Sequence, residues 1–300
     1  MTGTRMHADE VPTDVGLVRR LLAAQFPQWA DLPITPVPSA GTDNAIYRLG
    51  EDKAVRLPRI HWATGQIAKE RTWLPRLAPY LTLELPIQLA AGTPAAGYPY
   101  EWGVYRWLAG ENVADAPIVS LEETAVALAR FIASLQRLDP TGGPAAVEHR
   151  LRGVPLHLRD DGTRAAIVAM GTMIDTDAAL RVWDEALRAP EWDSPPVWFH
   201  GDLLPGNLLV AEGRLSAVID WSGVGVGDPA CDLMCAWALF SGQSRQMFRD
   251  ALAVDDATWA RARGQALSQA VIFIPYYLHT NPVGVTRAQQ MLREVLADTR

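Results

Sequence analysis

Between Trp198 and Leu233 the chain reads WFHGDLLPGNLLVAEGRLSAVIDWSGVGVGDPACDL. A strand-like Val197-Trp198-Phe199 delivers His200, Gly201 and Asp202 into a loop that contains Pro205 and Gly206. Asn207 follows, then the apolar run Leu208-Leu209-Val210. Glu212-Gly213 turns the chain back, and Leu215 to Ile219 reads as a second strand that ends at Asp220. A hairpin of this kind brings Asp202, Asn207 and Asp220 to one end. Two carboxylates and an amide are hard oxygen ligands of the sort that hold Mg²⁺ with its phosphates. A carboxylate that the metal does not need can accept a proton instead.

Each residue also has a plainer reading. Asp202 and Asn207 are residue types that favour turns, and Asp220 could simply cap the next segment. Only the ordered set makes a site. Asp232, in the helix after Asp228-Pro229, either braces the loop at 200–207 or touches substrate. Gly223, Gly225 and Gly227 imitate a dinucleotide fingerprint, but Asp228 stands where its third glycine belongs. No G-x-x-x-x-G-K-[ST] occurs anywhere, which excludes a P-loop.

The elements that must position these residues fall into two parts. Residues 14–26 place Leu17, Val18, Leu21 and Leu22 on one helical face, with Thr13 as the expected N-cap. Extended segments follow at 34–40, 45–50, 53–58, 85–90 and 100–108, with a tight turn at Gly50-Glu51-Asp52 and a helix over 64–77. From Gly110 onward the pattern is helical. A helix over 120–138 opens with a Ser120/Glu123 capping box, and others fit 163–174, 176–188, 230–240, 244–252, 256–274 and 286–298. The expected organisation is α+β: residues 1–108 form a small antiparallel-sheet lobe, and 109–300 a mainly helical one.

The 300 residues, 49% hydrophobic and 20% charged, are enough for a full core without disulfides or a structural metal. The N-terminus lacks the basic-then-apolar build of a signal peptide, and the longest apolar run, Val271–Leu278, is too short to span a bilayer. A cytoplasmic location is expected, with Cys231 and Cys235 as reduced core residues. The net charge of −7 argues against a nucleic-acid partner and mildly favours cationic or neutral ones. The only lysines are Lys53 and Lys69, so any chemistry that needs a lysine has two candidates.

H-G-D-x-x-x-x-N at 200–207 followed by I-D-W at 219–221 resembles the catalytic loop and metal-binding Asp of the aminoglycoside phosphotransferase family. These are kinase-like enzymes that phosphorylate small molecules. Gly201 replaces the arginine of the protein-kinase motif and Trp221 its phenylalanine. Asp228-Pro229 and Asp232 resemble the family's G-D-P-x-x-D-L segment. The loop Ser39-Ala40-Gly41-Thr42-Asp43-Asn44 lies where the family covers the nucleotide phosphates. Ala54-Val55-Arg56-Leu57 resembles the strand with the phosphate-binding lysine, here an arginine; Lys53 should face away from it. Glu70 stands where the family's helix glutamate pairs with that cation. Tyr105-Arg106-Trp107-Leu108 resembles the hinge segment whose backbone meets the base. The resemblance covers roughly residues 30–240.

The resemblance implies a bilobal protein-kinase-like fold and a Mg²⁺-dependent antibiotic-resistance kinase. Such an enzyme passes the γ-phosphoryl of ATP or GTP to a hydroxyl of an aminoglycoside or another small molecule. Asp202 would be the catalytic base, with Asn207 and Asp220 on the metal. Ser39, Gly41, Thr42, Asn44, Arg56, Glu70, Arg106 and Leu108 would bind the nucleotide. Two other readings stay open: a non-catalytic nucleotide-binding module of the same fold, and a metal-dependent phosphohydrolase that uses His200, Asp202 and Asp220 as ligands.

Overall fold

A computed structural model describes residues 6–38, 41–146 and 151–298. The chain divides into two compact units: residues through Pro79 with Glu84–Ala109, and Tyr80–Leu83 with Gly110 onward.

The first unit is built on a five-stranded antiparallel sheet. Its strands are β1 (Ile34–Pro36), β2 (Asn44–Leu49), β3 (Lys53–Pro58), β4 (Gln88–Gly92) and β5 (Trp102–Arg106), in the order β1-β2-β3-β5-β4. Strand parity sorts β3 between two faces. Val55 and Leu57 join a buried cluster with Leu17, Val18, Leu21 and Leu22 of α1 (Val15–Gln25) and with Trp102 and Val104 of β5. Arg56 points the other way, toward α2 (Gln66–Leu77). Lys53 lies over the Trp29 ring and pairs with Asp52, away from Arg56. Asp14, not Thr13, caps α1: its carboxylate accepts from the Leu17 N–H at 2.6 Å. Thr13 accepts instead from the Tyr47 hydroxyl at 3.0 Å, which takes it out of the capping position.

The second unit is helical except around the chemistry-bearing segment. Its helices are α3 (Leu121–Gln136), α4 (Asp160–Met170), α5 (Thr176–Arg188), α6 (Ala230–Leu233), α7 (Cys235–Leu239), α8 (Gly242–Leu252), α9 (Asp256–Tyr277) and α10 (Pro282–Ala297). The long helix α9 is buried on most sides, with α4, α5, α6 and α10 packed around it. It runs past Pro275 instead of ending at 274, because a proline in the last turn forfeits only one ladder bond. Phe273 and Tyr277 meet across that turn at 4.4 Å. Asn281 caps α10 with Pro282 at its first position, so α10 starts four residues earlier than its apolar spacing suggests. The single helix expected over 230–240 is broken at Met234. At the start of α3, Ser120 accepts from the Glu123 N–H, while its hydroxyl turns to Glu122.

Five short strands, in two small sheets, carry the site. The antiparallel hairpin β8 (Leu208–Ala211) and β9 (Arg214–Val218) closes at Glu212-Gly213, and β6 (Glu111–Asn112) pairs on the outer edge of β8. Strand β7 (Val197–Phe199) pairs separately with β10 (Gly225–Gly227). Cys231 and Cys235 are buried thiols, and burial pushes Cys231 up to about 12. No helix among the described residues is long and apolar enough to cross a membrane.

Candidate active site

Where the chain leaves β7 at Phe199 it is seized by one buried carboxylate. Asp232 of α6 accepts from the backbone N–H groups of His200 and Gly201, each at 2.7 Å. Burial pushes its carboxyl up to about 6, against the pull of those two donors. Gly201 sits at φ +85°, and a Cβ there would lie 2.8 Å from the Gly223 carbonyl oxygen. Only glycine allows this close passage of two backbones. That is the physical reason for glycine at the second position of the motif.

His200 joins the two halves of the motif. Its Nδ1 accepts from the Asp202 N–H at 3.1 Å and its Nε2 donates to the Ile219 carbonyl at 3.1 Å. These partners assign a neutral imidazole with the proton on Nε2. Burial holds the ring neutral by lowering its pKa to about 4, despite Asp202 and Asp220 nearby. Trp221 stacks edge-on against it at 4.7 Å. With both ring nitrogens engaged inside the protein, His200 can be neither a metal ligand nor the base. The phosphohydrolase reading, which needs it as a ligand, is removed.

Asp202, Asn207 and Asp220 gather at one end of the β8–β9 hairpin. The register pairs Leu208 with Val218, and the Ile219 N–H donates to the Asn207 carbonyl at 2.9 Å. Asn207 and Asp220 therefore flank the same end. The Asn207 Nδ2 donates to the Asp202 main-chain carbonyl at 2.9 Å and to its Oδ2 at 3.0 Å. Asp220 is in the left-handed region at φ +57°, ψ +70°, and its carboxylate caps the turn 221–223 through the Ser222 N–H. Aspartate tolerates that conformation better than most residues, and here it turns the chain sharply out of β9.

The donor set fits Mg²⁺. Asn207 spends its amide nitrogen on Asp202, so its Oδ1 is the atom it would offer a cation, and Asp220 would add a carboxylate from the same hairpin end. Two protein oxygens suit an ion that keeps most of its octahedral shell for water and phosphate. Among the described residues, no group of three His, Cys, Asp or Glu side chains is placed to hold a metal by itself.

In the first unit Arg56, 7% exposed, donates to Glu70 Oε1 at 2.5 Å and to Gln66 Oε1 at 3.3 Å. The Asn44 amide, with its oxygen turned to the guanidinium, accepts from Arg56 Nε at 3.2 Å and Nη2 at 2.9 Å. Glu70, 1% exposed, takes a second donor at 2.8 Å from the Tyr105 hydroxyl. Arg56, Glu70 and Asn44 thus form one buried polar cluster.

Of the other expected nucleotide-binding residues, Thr42 and Arg106 have partners outside that cluster. The Thr42 hydroxyl donates to Asp43 and its carbonyl meets His7. Gly41 precedes it in the same loop, and Ser39 lies outside the described residues. Arg106 spends its N–H on the Ile87 carbonyl and its guanidinium on exposed Glu84. Leu108 is buried just beyond, after Trp107 has donated its N–H to Asp52.

Two residues of these clusters, Gln66 and Arg152, lie outside the motifs read from the sequence. Gln66 lies one helical turn before Glu70, a spacing that could have suggested it. Arg152 donates to Asp202 Oδ1 at 2.8 Å from fifty positions away, and nothing in its local pattern points there.

Residues 34–267 match the family model described as the phosphotransferase enzyme family. The chain belongs to that family. A curated relative, an uncharacterised protein of Bacillus subtilis (strain 168), is 27% identical over 190 residues, 59% of this chain and 54% of its own. The match thus spans about half the length of that relative.

Solved structures show the phosphotransferase fold in full. The GDP and kanamycin complex of an aminoglycoside 2''-phosphotransferase superposes with a TM-score of 0.72 at 17% identity, covering 95% of this chain and 99% of that one. The GDP complex of wild-type aminoglycoside 2'-phosphotransferase-IIIa also gives 0.72, at 15% identity over 96% and 100%. The apoenzyme of a macrolide 2'-phosphotransferase from Brachybacterium faecium gives 0.61 at 23% identity over 95% and 99%. The fold is the kinase-like one of the aminoglycoside phosphotransferases.

Proposed function

We propose that this phosphotransferase-family chain moves the γ-phosphoryl group of ATP or GTP to a hydroxyl of a small molecule, of the kind represented by aminoglycosides and other antibiotics. The observation that carries the proposal is the gathering of Asp202, Asn207 and Asp220 at one hairpin end, with His200 and Asp232 fixing the loop between them. The family membership and the nucleotide and antibiotic complexes among the structural neighbours support the same reading.

In this reading Asp202 orients the acceptor hydroxyl and takes its proton late. The loose phosphoryl-transfer transition state asks little basicity early on. Asn207 and Asp220 would hold Mg²⁺, which when bound would supply positive charge to offset that developing on the phosphates. Arg56, oriented by Glu70, would anchor the α/β-phosphates as a fixed guanidinium charge in the place of a lysine's point charge. The Leu108 backbone serves the base of the nucleotide.

The test is acceptor-dependent release of ADP or GDP in the presence of Mg²⁺, read with aminoglycosides, macrolides, sugars and amino alcohols as acceptors. Release with a matching phosphorylated product supports the proposal. Tight nucleotide binding without acceptor-dependent release would instead make the chain a nucleotide-binding module.

A further inference from the structure

We propose that Arg152 is a positioning residue for phosphoryl transfer, one that fixes the Asp202 carboxylate where it meets the acceptor hydroxyl; this rests on the role of Asp202 argued above. One guanidinium nitrogen, Nη1, donates both to Asp202 Oδ1 at 2.8 Å and to the Gly201 carbonyl. On the other side, Asn207 holds Oδ2 at 3.0 Å. An aspartate has two side-chain torsions, and donors on opposite oxygens remove both freedoms. Asn207 alone would leave the carboxylate free to swing about that one bond.

The turn that presents Arg152 is built at a cost its own side chains do not repay. Leu151 has φ +62°, unusual for a residue with a Cβ, and its side chain is 40% exposed. Packing of Leu151 therefore does not explain the strained backbone. Its carbonyl does have a fixed partner, the Nη1 of Arg159 at 3.2 Å. Arg159 is buried and anchored through Nε to the Ser268 hydroxyl of α9 at 3.1 Å, which in turn meets Thr163 of α4 at 2.8 Å. No carboxylate pairs with Arg159 among the described residues. Its directed donors go to scaffold oxygens, and one of these is the backbone that carries Arg152.

The far side of the turn is pinned as firmly. Gly153 has φ +68°, and a Cβ there would fall 2.2 Å from the Phe199 ring. Its carbonyl accepts from the Asp228 N–H at 2.9 Å. The Asp228 carboxylate is gripped by Arg261 of α9, at 2.7 Å from Nε and 3.2 Å from Nη2. Residues 151–153 are thus tied at both ends to buried charged groups on α9 and its neighbours, and Arg152 is what they deliver to Asp202.

The experiment is Arg152→Ala, alone and combined with Asp202→Asn. A misplaced reacting group costs on the order of 10²-fold, so kcat should fall about tenfold to a hundredfold while the nucleotide KM stays within about twofold. Arg152→Lys should recover part of kcat, because one ammonium can reach the carboxylate without the full fork. In the Asp202→Asn background Arg152→Ala should cost almost nothing further, since residues that act through each other are non-additive. A merely structural role would cost the same in both backgrounds. Crystallography of Arg152→Ala, or of Arg152→Gln should the alanine variant not fold, reads the positioning directly: a displaced Asp202 side chain supports the proposal. An unmoved carboxylate, or an unchanged kcat, overturns it. The crystallographic arm decides even if the wild type phosphorylates no acceptor tried, a result that would count against the proposed function instead.

Discussion

One amide ties Asn207 to Asp202 twice, with Nδ2 on the main-chain carbonyl at 2.9 Å and on Oδ2 at 3.0 Å. The spacing of five residues is therefore a closed local ring, and in the proposed function Asn207 has a second job on the metal. Asn207→Asp separates the two jobs: an oxygen remains for the metal, but the donor becomes a second carboxylate about 3 Å from the first, a distance at which two carboxylates do not both ionise. Transfer should fall about as far in Asn207→Asp as in Asn207→Ala, roughly 10²-fold in kcat. Near-normal turnover of the aspartate variant, measured by acceptor-dependent ADP release, would show that the amide tie is dispensable.

Asp202→Asn should fold and bind nucleotide nearly as the wild type does, because Asp232 and His200 grip the backbone of this loop and not the Asp202 side chain. Turnover should nevertheless drop by about 10²–10⁴-fold, the usual worth of a positioned base. Parallel measurement of kcat and nucleotide affinity checks it. Loss confined to affinity would place Asp202 on the nucleotide instead.

Asp220→Ala should abolish transfer and weaken Mg²⁺-nucleotide binding, since in the proposed function it removes the charged ligand of the metal. The measurement is the Mg²⁺ dependence of nucleotide binding by titration. A variant with unaltered Mg²⁺ dependence would take Asp220 out of the site.

What could be read in the sequence was whatever rests on local spacing. The β8–β9 hairpin is legible because apolar runs and a Glu-Gly turn set its register, and register alone gathers Asn207 and Asp220. The parity of β3 likewise separates Arg56 from Lys53. Arg152 was not legible: its link to Asp202 depends on a strained turn and on helices that meet only after folding. The cap of α1 lies one residue beyond the expected Thr13 because Thr13 and Asp14 are both good caps, and a distant hydroxyl, that of Tyr47, engages Thr13 instead. The helix break at Met234 lies within an apolar pattern that continues unbroken across it.

Arg56→Ala should raise the nucleotide KM and lower kcat, since in the proposed function the guanidinium both binds and positions the phosphates. It should also destabilise the protein, because Glu70 is buried and would keep the Tyr105 hydroxyl but lose its cation. Removing one partner of a buried ion pair costs about 3–5 kcal/mol. Arg56→Lys should restore much of the activity, with less of the stability, since an ammonium cannot reproduce the contacts to Gln66 and Asn44 together. Denaturant unfolding of both variants beside their kinetics tests the two claims separately. A lysine variant as stable as wild type would mean that those side contacts carry little.

The last prediction concerns acid, where His200 and Asp232 act in opposite senses. His200 falls from the usual 6.5 to about 4 on folding, chiefly because it is buried. Between those values the unfolded chain binds the extra proton, so this stability is present above pH 6.5 and is lost as pH falls toward 4. Asp232 rises from 3.8 to about 6, again through burial. There the folded chain holds the extra proton, so its contribution is full below pH 3.8 and is lost as pH rises through 6. Across roughly pH 4–6 the two slopes offset each other. Asp232→Asn removes one of them and leaves His200 alone. Its overall stability should drop, because an amide offers at most one oxygen to the two N–H groups of His200 and Gly201. More tellingly, its stability should fall faster with acid than the wild type's, by up to about 1.4 kcal/mol per pH unit, the worth of one proton. Denaturant unfolding of both proteins at half-unit steps from pH 7 to pH 4 gives the two slopes. Parallel slopes would mean that the pair does not titrate in this window.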